Sequence, residues 1–446
     1  SDFASMAGKD RYNMTKTSLI RSAAVALTAL LTLSVAACNG SPASSGEPGG
    51  KDKASQLEAE KGKKLTFMLP AFDYQDDSKF ENQVLKAFKE QYPDIELELI
   101  TASIDNWMVK LRTSASSGEA IDVFQDSANN NPLYALRGIN QPLQDYIDMS
   151  NPNLHKETMD TVFCYNGNYY VAVTEPDPCV LFYNKEIFES EGLETPEELY
   201  QAGDWNFDSL ARIAKQLTYS NNSGKRWGLA CNYPYIFFGA NATSMVKLDQ
   251  NYKYTLNITD PNLMKSLEVI QDAWYTNQWE GWEGTPWNAF YNGSAAMLAD
   301  FKWVEQNILE AKEYGLCDFE YGMVPMATGP NNPDGLTPMT AFGYAMGNGC
   351  DTPYHSGILI DMLINGEAED NAKNYANFPA EHIKTYEELG KKLYPINSYD
   401  SAVGGAFEIC QAIAAGQSIP QAIAEYTPIY QQKVDEANGV IQGDNS

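Results

Sequence analysis

The sequence predicts an α/β protein built from two lobes. A chain of 446 residues is longer than one ordinary hydrophobic core supports, and hydrophobic residues make up 43% of it, which is enough to fill two cores. Short apolar runs also alternate with amphipathic stretches along the first folded segment. Such strand–helix alternation is typical of a parallel sheet covered by helices.

The alternation begins at residue 65. Leu65–Leu69 is a short apolar run bounded by charge and proline, which predicts a strand. Ser78–Gln91 has apolar residues at helical spacing, and Ile95–Ile100 alternates apolar with acidic residues, as a strand with one wet face does. A helix over Trp107–Ser114 and a strand over Ile121–Phe124 continue the pattern.

The second half of the chain repeats the pattern less regularly. The predicted strands are Tyr169–Val173, Val180–Tyr183, Trp227–Cys231, Ala295–Ala299, Gly322–Pro325 and Ala341–Met346. The predicted helices are Asn206–Leu217, Asn262–Tyr275, Ser356–Leu363, Glu381–Leu393, Ala406–Ala415 and Ile419–Ala437. Thr174–Pro178 contains two prolines, which fix φ and remove donors, so we expect a stiff connection that carries acidic groups.

The composition argues against several classes of protein. A formal net charge of −28 argues against binding to nucleic acid or to an anionic membrane surface, because both require basic groups that replace counterions. The seven cysteines form no C-x-x-C pair and lie far from the three histidines, so no metal site and no cofactor are expected. The scattered spacing of the six cysteines after Cys38 favours free thiols over disulfides.

The N-terminus predicts export and a lipid anchor. Lys16 and Arg21 precede the apolar run Ser22–Ala37, which has the form of a secretory signal. Leu33–Cys38 resembles the bacterial lipobox, in which the cysteine is acylated (palmitate) and becomes the mature N-terminus. We therefore expect a leader over residues 1–37, a lipidated flexible linker over residues 38–64, and a body held on the outer face of the cell membrane.

Polar and aromatic side chains follow two of the predicted strands. Phe72, Asp73 and Tyr74 come after the first strand, and Gln125 and Asp126 come after the third. Because ligands of open α/β sheets bind beyond the carboxyl ends of the strands, we interpret these residues as candidates for binding. A helix N-cap or an exposed loop residue is an equally good interpretation of Asp73.

Five segments together resemble extracellular solute-binding proteins of the family that contains maltose-binding protein. They occur in the family's order and lie within a resemblance that runs from about Leu65 to Asn438. The segments are FKEQYPDIEL (Phe88–Leu97), SGEAIDVF (Ser117–Phe124), LFYNKEIFESEGLETP (Leu181–Pro196) with DWNFDSL (Asp204–Leu210), FYNGSAAMLADFKW (Phe290–Trp303) and YGMVPM (Tyr321–Met326).

This resemblance implies a two-lobed, periplasmic-binding-protein-like fold of type II. Its central sheets are flanked by helices, and the solute lies in the cleft between the lobes. The implied lobes are residues 65–173 with 345–396 and residues 174–344 with 397–446. The implied hinge runs through Val173–Asp177 and again near Phe342–Tyr344.

The resemblance also implies particular contacts with the solute. Asp177 falls where family members place a carboxylate in the cleft. Tyr235, which follows a strand together with Tyr233, and Trp303 fall at positions of stacking aromatic residues, although core packing is an equally good interpretation of Tyr235. Stacking rings and carboxylate acceptors are what a sugar requires, because its ring faces carry C–H groups and its edge carries hydroxyls.

Two further candidates lie close to these positions. Asp300 stands where many members of the family have asparagine followed by glycine, so we expect that it adds a contact of its own. Trp287 belongs to a tryptophan-rich segment that either lines the cleft or braces a loop, and we favour the cleft for this residue alone.

The predicted function is therefore that of a monomeric substrate-binding lipoprotein rather than an enzyme. It captures an oligosaccharide and delivers it to the transmembrane subunits of an ABC permease. One alternative keeps the fold but changes the solute to a polyol phosphate or a cation. Another is a secreted glycoside hydrolase that pairs Asp73 with Asp177 or Glu175, since that chemistry needs two carboxyl groups.

Overall fold

The computed structural model of the chain describes residues 53–103, 106–221, 224–396 and 398–441, so the predicted leader and Cys38 lie outside the described residues. The strands are β1 Lys64–Pro70, β2 Glu96–Ala102, β3 Val123–Ser127, β4 Cys164–Tyr165, β5 Asn168–Tyr169, β6 Val171–Ala172, β7 Asp177–Asn184, β8 Tyr219–Asn221, β9 Gly224–Cys231, β10 Val246–Leu248, β11 Tyr254–Leu256, β12 Ala295–Phe301, β13 Tyr321–Pro325, β14 Thr337–Thr340, β15 Phe342–Met346 and β16 Leu393–Pro395. The helices are α1 Lys53–Glu60, α2 Phe80–Gln91, α3 Trp107–Ser117, α4 Leu133–Leu136, α5 Lys156–Val162, α6 Lys185–Glu191, α7 Pro196–Ala202, α8 Phe207–Leu217, α9 Ile236–Ala240, α10 Pro261–Gln271, α11 Pro286–Tyr291, α12 Val304–Glu313, α13 Pro353–Tyr375, α14 Ala380–Leu389, α15 Phe407–Ala414 and α16 Ile419–Ile441.

The first lobe is organised around a sheet with the strand order β2-β1-β3-β15-β6. β1 runs parallel to β2 and to β3, with Phe67 opposite Val123, which confirms the parallel arrangement that the alternating pattern predicted. β15 enters antiparallel to β3 and pairs on its other side with β6. The apolar face of α2, which includes Leu85 and Phe88, packs on this sheet and buries it.

The second lobe is organised around a sheet with the order β16-β14-β7-β12-β9-β8, and β13 also pairs with β7. Cys179, Leu181 and Tyr183 of β7 face one hydrophobic core, whereas Val180 and Phe182 face another. A strand that is buried on both sides must be apolar at every position, which explains the continuous apolar run in this part of the sequence.

Two short connections join the sheets at matching edges. β6 ends at Ala172 and β7 begins at Asp177, while Ala341 alone lies between the end of β14 and Phe342 at the start of β15. Phe342 is opposite Ser127 at the carboxyl end of β3, and β7 begins beside the carboxyl end of β12. The carboxyl edges of the two sheets therefore face each other across the junction.

A third connection, at residues 376–379, corrects the predicted lobe boundary. α13 packs on α2 and β15 of the first lobe. Phe378, Tyr386 and Leu389 are instead buried against the second sheet, and β16 pairs with β14. The assignment of residues up to 396 to the first lobe was wrong from about residue 378 onward, because these apolar side chains find their core in the second lobe.

Helix starts in the second lobe follow local signals that belong to the motifs described above. Thr195 Oγ1 accepts from Glu198 N (3.2 Å) and Glu198 Oε2 accepts from Thr195 N (2.8 Å), so the TPEE sequence forms a capping box at α7. Asn206 and Ser209 make the equivalent exchange at α8. These parts of the motifs thus determine where the two helices begin.

The predicted flexible linker is shorter than residues 38–64. Residues 53–60 form helix α1, whose last residue, Glu60, is only 4% exposed. The Glu60 carboxylate accepts from Tyr354 N (2.9 Å) and His355 N (3.0 Å) at the start of α13 and lies 2.7 Å from His355 Nδ1. The linker prediction was wrong for this part because the first N–H groups of α13 need acceptors, and Glu60 supplies them.

Two further observations concern the described residues alone. No helix among them combines the length and the apolar character that crossing a membrane requires. All six cysteines in this part of the chain are free thiols, as their spacing favoured, and Cys179, Cys231, Cys317 and Cys410 are buried.

Replacing Glu60 should destabilise the first lobe. We expect Glu60→Ala to lower the free energy of unfolding by about 1–3 kcal/mol, because it leaves buried donors without an acceptor. Urea denaturation followed by circular dichroism measures this. Glu58→Ala is the matched control, since Glu58 lies in the same helix and is exposed, and it should cause no measurable change. Equal stability of the Glu60 variant and the wild type would contradict the role of α1.

Candidate binding cleft

The second lobe lines its carboxyl edge with aromatic rings. Tyr233 and Tyr235 follow β9, and their ring centroids lie 5.8 Å apart. Tyr233 also packs against Phe301 at the end of β12 (5.5 Å), and Tyr235 packs against Phe407 at the start of α15 (6.4 Å). We call Tyr233, Tyr235, Phe301, Trp303 and Phe407 the aromatic wall.

Asp177 and Trp303 lie beside each other in this edge. Asp177 is the first residue of β7, and Trp303 immediately precedes α12. Pairing of Phe301 with Cys179 brings the two segments together, and Asp177 Oδ1 accepts from Trp303 N at 3.3 Å. The structure thus places the Asp177 carboxylate at the backbone of a partly buried tryptophan at this edge.

Asp300 and Trp287 are buried beneath the aromatic wall. Asp300 is 0% exposed, and its carboxyl accepts from Phe301 N (2.8 Å) and from Trp287 Nε1 (2.9 Å). Burial raises the pKa of Asp300 to about 7. The prediction that Asp300 touches the solute is therefore corrected, since its oxygens face the protein interior. Trp287 packs edge-to-face on Trp303, with centroids 5.7 Å apart, and is itself buried.

The first lobe contributes the loop after β1. Phe72 packs edge-to-face on Tyr74 (5.1 Å), and the Tyr74 hydroxyl accepts from Leu69 N (2.9 Å) and donates to Ile100 O (3.1 Å). Burial raises the pKa of this hydroxyl to about 12. Tyr74 therefore braces the loop, whereas Phe72 remains partly exposed.

Asp73 lies exposed in the same loop. Its Oδ1 accepts from Gln75 N (3.0 Å), while α2 begins only at Phe80, so Asp73 does not cap that helix. The structure therefore agrees with the interpretation of Asp73 as an exposed loop residue and not with its interpretation as a helix N-cap. Its exposure leaves it accessible from the cleft side of β1.

The two candidates after β3 have different environments. Gln125 is half-buried. Asp126 is fully buried, and its carboxylate accepts from Ser127 N and from the side-chain amides of Asn130, Asn131 and Asn140 at 2.7–2.9 Å. Because a carboxylate offers about four acceptor positions, none is left for a solute. The prediction that Asp126 binds the solute is corrected: it organises the loop after β3, although burial raises its pKa.

Sequence reasoning missed two aromatic residues at the edge. Phe342 is 43% exposed although it directly follows Ala341, the connection between β14 and β15. Phe407 extends the aromatic wall through its contact with Tyr235. The signal for Phe342 was its position in the expected hinge, next to the end of β14. Nothing local marked Phe407, because α15 reaches the edge only through tertiary packing.

An ion pair lies where the connection between β6 and β7 meets the end of α13. Lys302, whose side chain is 9% exposed, lies 2.5 Å from Glu175 in the first crossing, and the Tyr375 hydroxyl donates to the same carboxylate. Lys302 also lies over the Tyr375 ring, 4.5 Å from its centroid. A cavity of about 280 Å³ lies beside this group, and its lining includes His155, Pro176 of the connection between β6 and β7, and Phe378 of the third connection.

A larger groove, of about 1410 Å³, lies elsewhere. Trp205, Arg212, Lys215 and Lys392 are among its lining residues, and every one of its lining residues belongs to the second lobe. It is therefore separate from the two facing sheet edges.

The fold and the facing edges define a two-lobed binding protein, and the comparisons give its family. A family model described as bacterial extracellular solute-binding protein matches residues 72–354, so the chain belongs to the family of bacterial extracellular solute-binding proteins. This confirms the resemblance carried by the sequence motifs and the two-lobed fold that it implied.

Several solved structures share the fold over nearly their whole length. An ABC substrate-binding protein of Listeria monocytogenes, solved with cycloalternan, is 19% identical (TM-score 0.63; 85% of this chain, 99% of that one). The GacH receptor of Streptomyces glaucescens, solved with acarbose, is 17% identical (TM-score 0.62; 84% and 99%). A solute-binding protein of Agrobacterium vitis, solved with D-mannitol, is also 17% identical (TM-score 0.58; 84% and 99%).

The raised pKa of Asp300 should appear in the stability of the protein. The folded-state pKa of about 7 exceeds the ordinary value of 3.8, so the folded state binds more protons than the unfolded state between these values. The contribution of Asp300 to stability is therefore lost as the pH rises from about 4 to 7. Relative to Asp300→Asn, the wild type should gain stability as the pH falls from 8 to 5, by at most about 1.4 kcal/mol per pH unit.

Urea denaturation at several pH values measures this difference. Asn288→Ala, an exposed substitution on the same helix α11 as Trp287, keeps every ionisable group and should follow the wild type. A pH dependence that is identical in the wild type and in Asp300→Asn would show that Asp300 titrates at its ordinary value.

Proposed function

We propose that this protein binds a neutral oligosaccharide between its two lobes and delivers it to the transmembrane subunits of an ABC importer. The observation that carries the proposal is the Asp177 carboxylate, which accepts a hydrogen bond from the backbone N–H of Trp303, a residue of the aromatic wall. Rings stack on the apolar faces of sugars, and carboxylates accept hydrogen bonds from sugar hydroxyls.

The charges near the edge favour a neutral solute over an anionic one. Lys302, the basic residue that follows β12, is already paired with Glu175. Asp177 and the exposed Asp73 would repel a phosphate group. A polyol phosphate is therefore a poor match for these groups.

The solved relatives support a carbohydrate as the class of solute. Those named above were solved with cycloalternan, acarbose and mannitol, and others with maltotriose or mannotriose. All of these ligands present many neutral hydroxyl groups. At 15–19% identity the likeness is one of fold, so the choice of sugar rests on the side chains of this chain.

Capture works through closure of the lobes on the solute. Phe72 and Asp73 belong to the first lobe, whereas Asp177 and Trp303 belong to the second, so one solute can contact both only when the edges approach. Such contacts stabilise the closed state and shift the population toward it. The short crossings act as the hinge, and the permease then recognises the closed form.

A glycoside hydrolase is less well supported. That chemistry needs a carboxylic acid with a raised pKa that can reach the glycosidic oxygen. Asp126 and Asp300, the aspartates near the edges whose pKa is raised, are fully buried and already accept hydrogen bonds from protein groups. The carboxylates at the edge thus serve as hydroxyl acceptors.

The lipid anchor is part of the same proposal. Acylation of Cys38 would place the body outside the membrane, and the described structure begins 15 residues later with α1, which is fixed to the first lobe through Glu60. Only residues 39–52 would then lie between the acylated cysteine and α1.

A screen of neutral oligosaccharides tests the binding function. We expect a matching oligosaccharide to raise the melting temperature, because it binds only the folded state. Trp303→Ala should weaken its binding about tenfold or more, measured by isothermal titration calorimetry. Tyr314→Ala removes an exposed aromatic ring on the same lobe and should bind normally. Binding of phosphorylated polyols alone would contradict the choice of solute, and release of a cleaved glycan would favour the hydrolase.

Partitioning of the full chain into detergent tests the anchor. In a bacterial host we expect the wild type in the detergent phase and Cys38→Ser in the aqueous phase, because the serine hydroxyl does not form the thioether. Cys164→Ser, at a partly exposed cysteine of the body, should partition as the wild type does. Wild-type protein that remains in the aqueous phase would refute lipidation.

A further inference from the structure

Asp300 is an unusual residue to find at the end of an inner strand. It lies in β12, which is buried along its whole length, and is 0% exposed. Burying a carboxyl group is unfavourable, as its raised pKa shows. The carboxyl group accepts from the neighbouring Phe301 N and from the indole Nε1 of Trp287, and the second of these bonds links it to another element.

Trp287 needs this acceptor to remain where it is. Its indole is buried, and a buried indole N–H without a partner is strongly unfavourable. Trp287 lies in the first turn of the short helix α11, and its Nε1 donates to Asp300 Oδ2 in β12 at 2.9 Å. The Asp300 carboxyl fixes the rotation of the ring.

The orientation of Trp287 is transmitted to Trp303. The two indoles meet edge-to-face at 5.7 Å with an interplanar angle of 64°. Trp303 is only partly buried, and its backbone N–H is held by Asp177 while its ring rests on Trp287. The contact with Trp287 on the buried side therefore determines which ring plane Trp303 presents to the cleft.

We propose that Asp300 is a positioning residue for solute recognition: its buried carboxyl group fixes Trp287, which in turn sets the ring plane of Trp303 for stacking on a sugar. This inference rests on the proposed binding function and deepens it. It explains why a buried acid stands at this position and assigns specificity to a side chain that does not touch the solute.

Two substitutions of Asp300 distinguish the role of its acceptor oxygen from the role of its negative charge. Asp300→Asn keeps an acceptor oxygen for the Trp287 indole, whereas Asp300→Leu removes it and keeps the branched shape with the same number of heavy side-chain atoms. Asp272 provides the matched control in the same lobe, because its Oδ2 accepts from the Trp279 indole at 2.8 Å and Trp279 does not belong to the aromatic wall. Asp272→Leu therefore removes the same type of hydrogen bond elsewhere.

Affinity is measured by calorimetry with maltotriose, mannotriose and cycloalternan as probes, and the coupled indoles are followed by aromatic circular dichroism. We expect Asp300→Leu to bind about tenfold more weakly, a loss of about 1.4 kcal/mol, and to lose the circular-dichroism signal of the indole pair. Asp300→Asn should retain both the affinity and the signal. Asp272→Leu should lose stability but not affinity.

Three results would overturn the proposal. Folded Asp300→Leu could bind as tightly as the wild type, Asp300→Asn could lose as much affinity as Asp300→Leu, or Asp272→Leu could weaken binding equally. If Asp300→Leu does not fold, Trp287→Phe replaces it, since it removes the donor and keeps a ring. A wild type that binds none of the probes would refute the proposed function, while the circular-dichroism comparison would still decide whether Asp300 orients the indoles.

Discussion

Ala341 alone separates the last residue of β14 from the first residue of β15, and four residues separate β6 from β7. Connections this short leave no freedom to place the lobes elsewhere, so they bring the two carboxyl edges face to face. The packing beside the crossing is equally tight: a Cβ atom on Gly343 would lie 2.1 Å from Ala172 O. The cleft, its aromatic wall and its hinge all depend on this constraint.

Three aspartates near the edges show how the environment decides what a carboxyl group does. Asp126 is surrounded by four donors and organises a loop. Asp300 has one donor from a side chain and holds an indole in place. Asp177 lies at the edge itself, beside Trp303. The same residue type therefore organises a loop at one position and accepts from an indole at another, while the proposed function assigns it a solute contact at the third.

Much of the fold was predictable because its signals are local. Period and composition located the strands of the first sheet and β7, β9, β12 and β13 of the second, but missed β8, β14 and β16. The TPEE motif begins a helix through its own capping box. The lobe boundary near residue 378 and the helix at residues 53–60 were missed for the opposite reason. Glu60 is ordered by Tyr354 and His355, which lie almost 300 positions away, and no local pattern records such a contact.

Part of the candidate site was also predictable from the sequence. Asp177 and Trp303 could be located from the motifs that surround them, and the structure brings them together. Asp126 and Asp300 could not be separated from solute contacts by sequence, because their burial depends on Asn140 and Trp287, which belong to other elements. Phe407 was missed since only the packing of α15 brings it to Tyr235.

A crystal structure of the protein with a bound oligosaccharide tests the central claim most directly. The account predicts that the sugar lies between the facing edges, with a ring stacked on Trp303, hydroxyls on Asp177, and a contact from the loop of Phe72 and Asp73. A sugar bound in the second-lobe groove beside Trp205 and Lys392, with the facing edges empty, would contradict it.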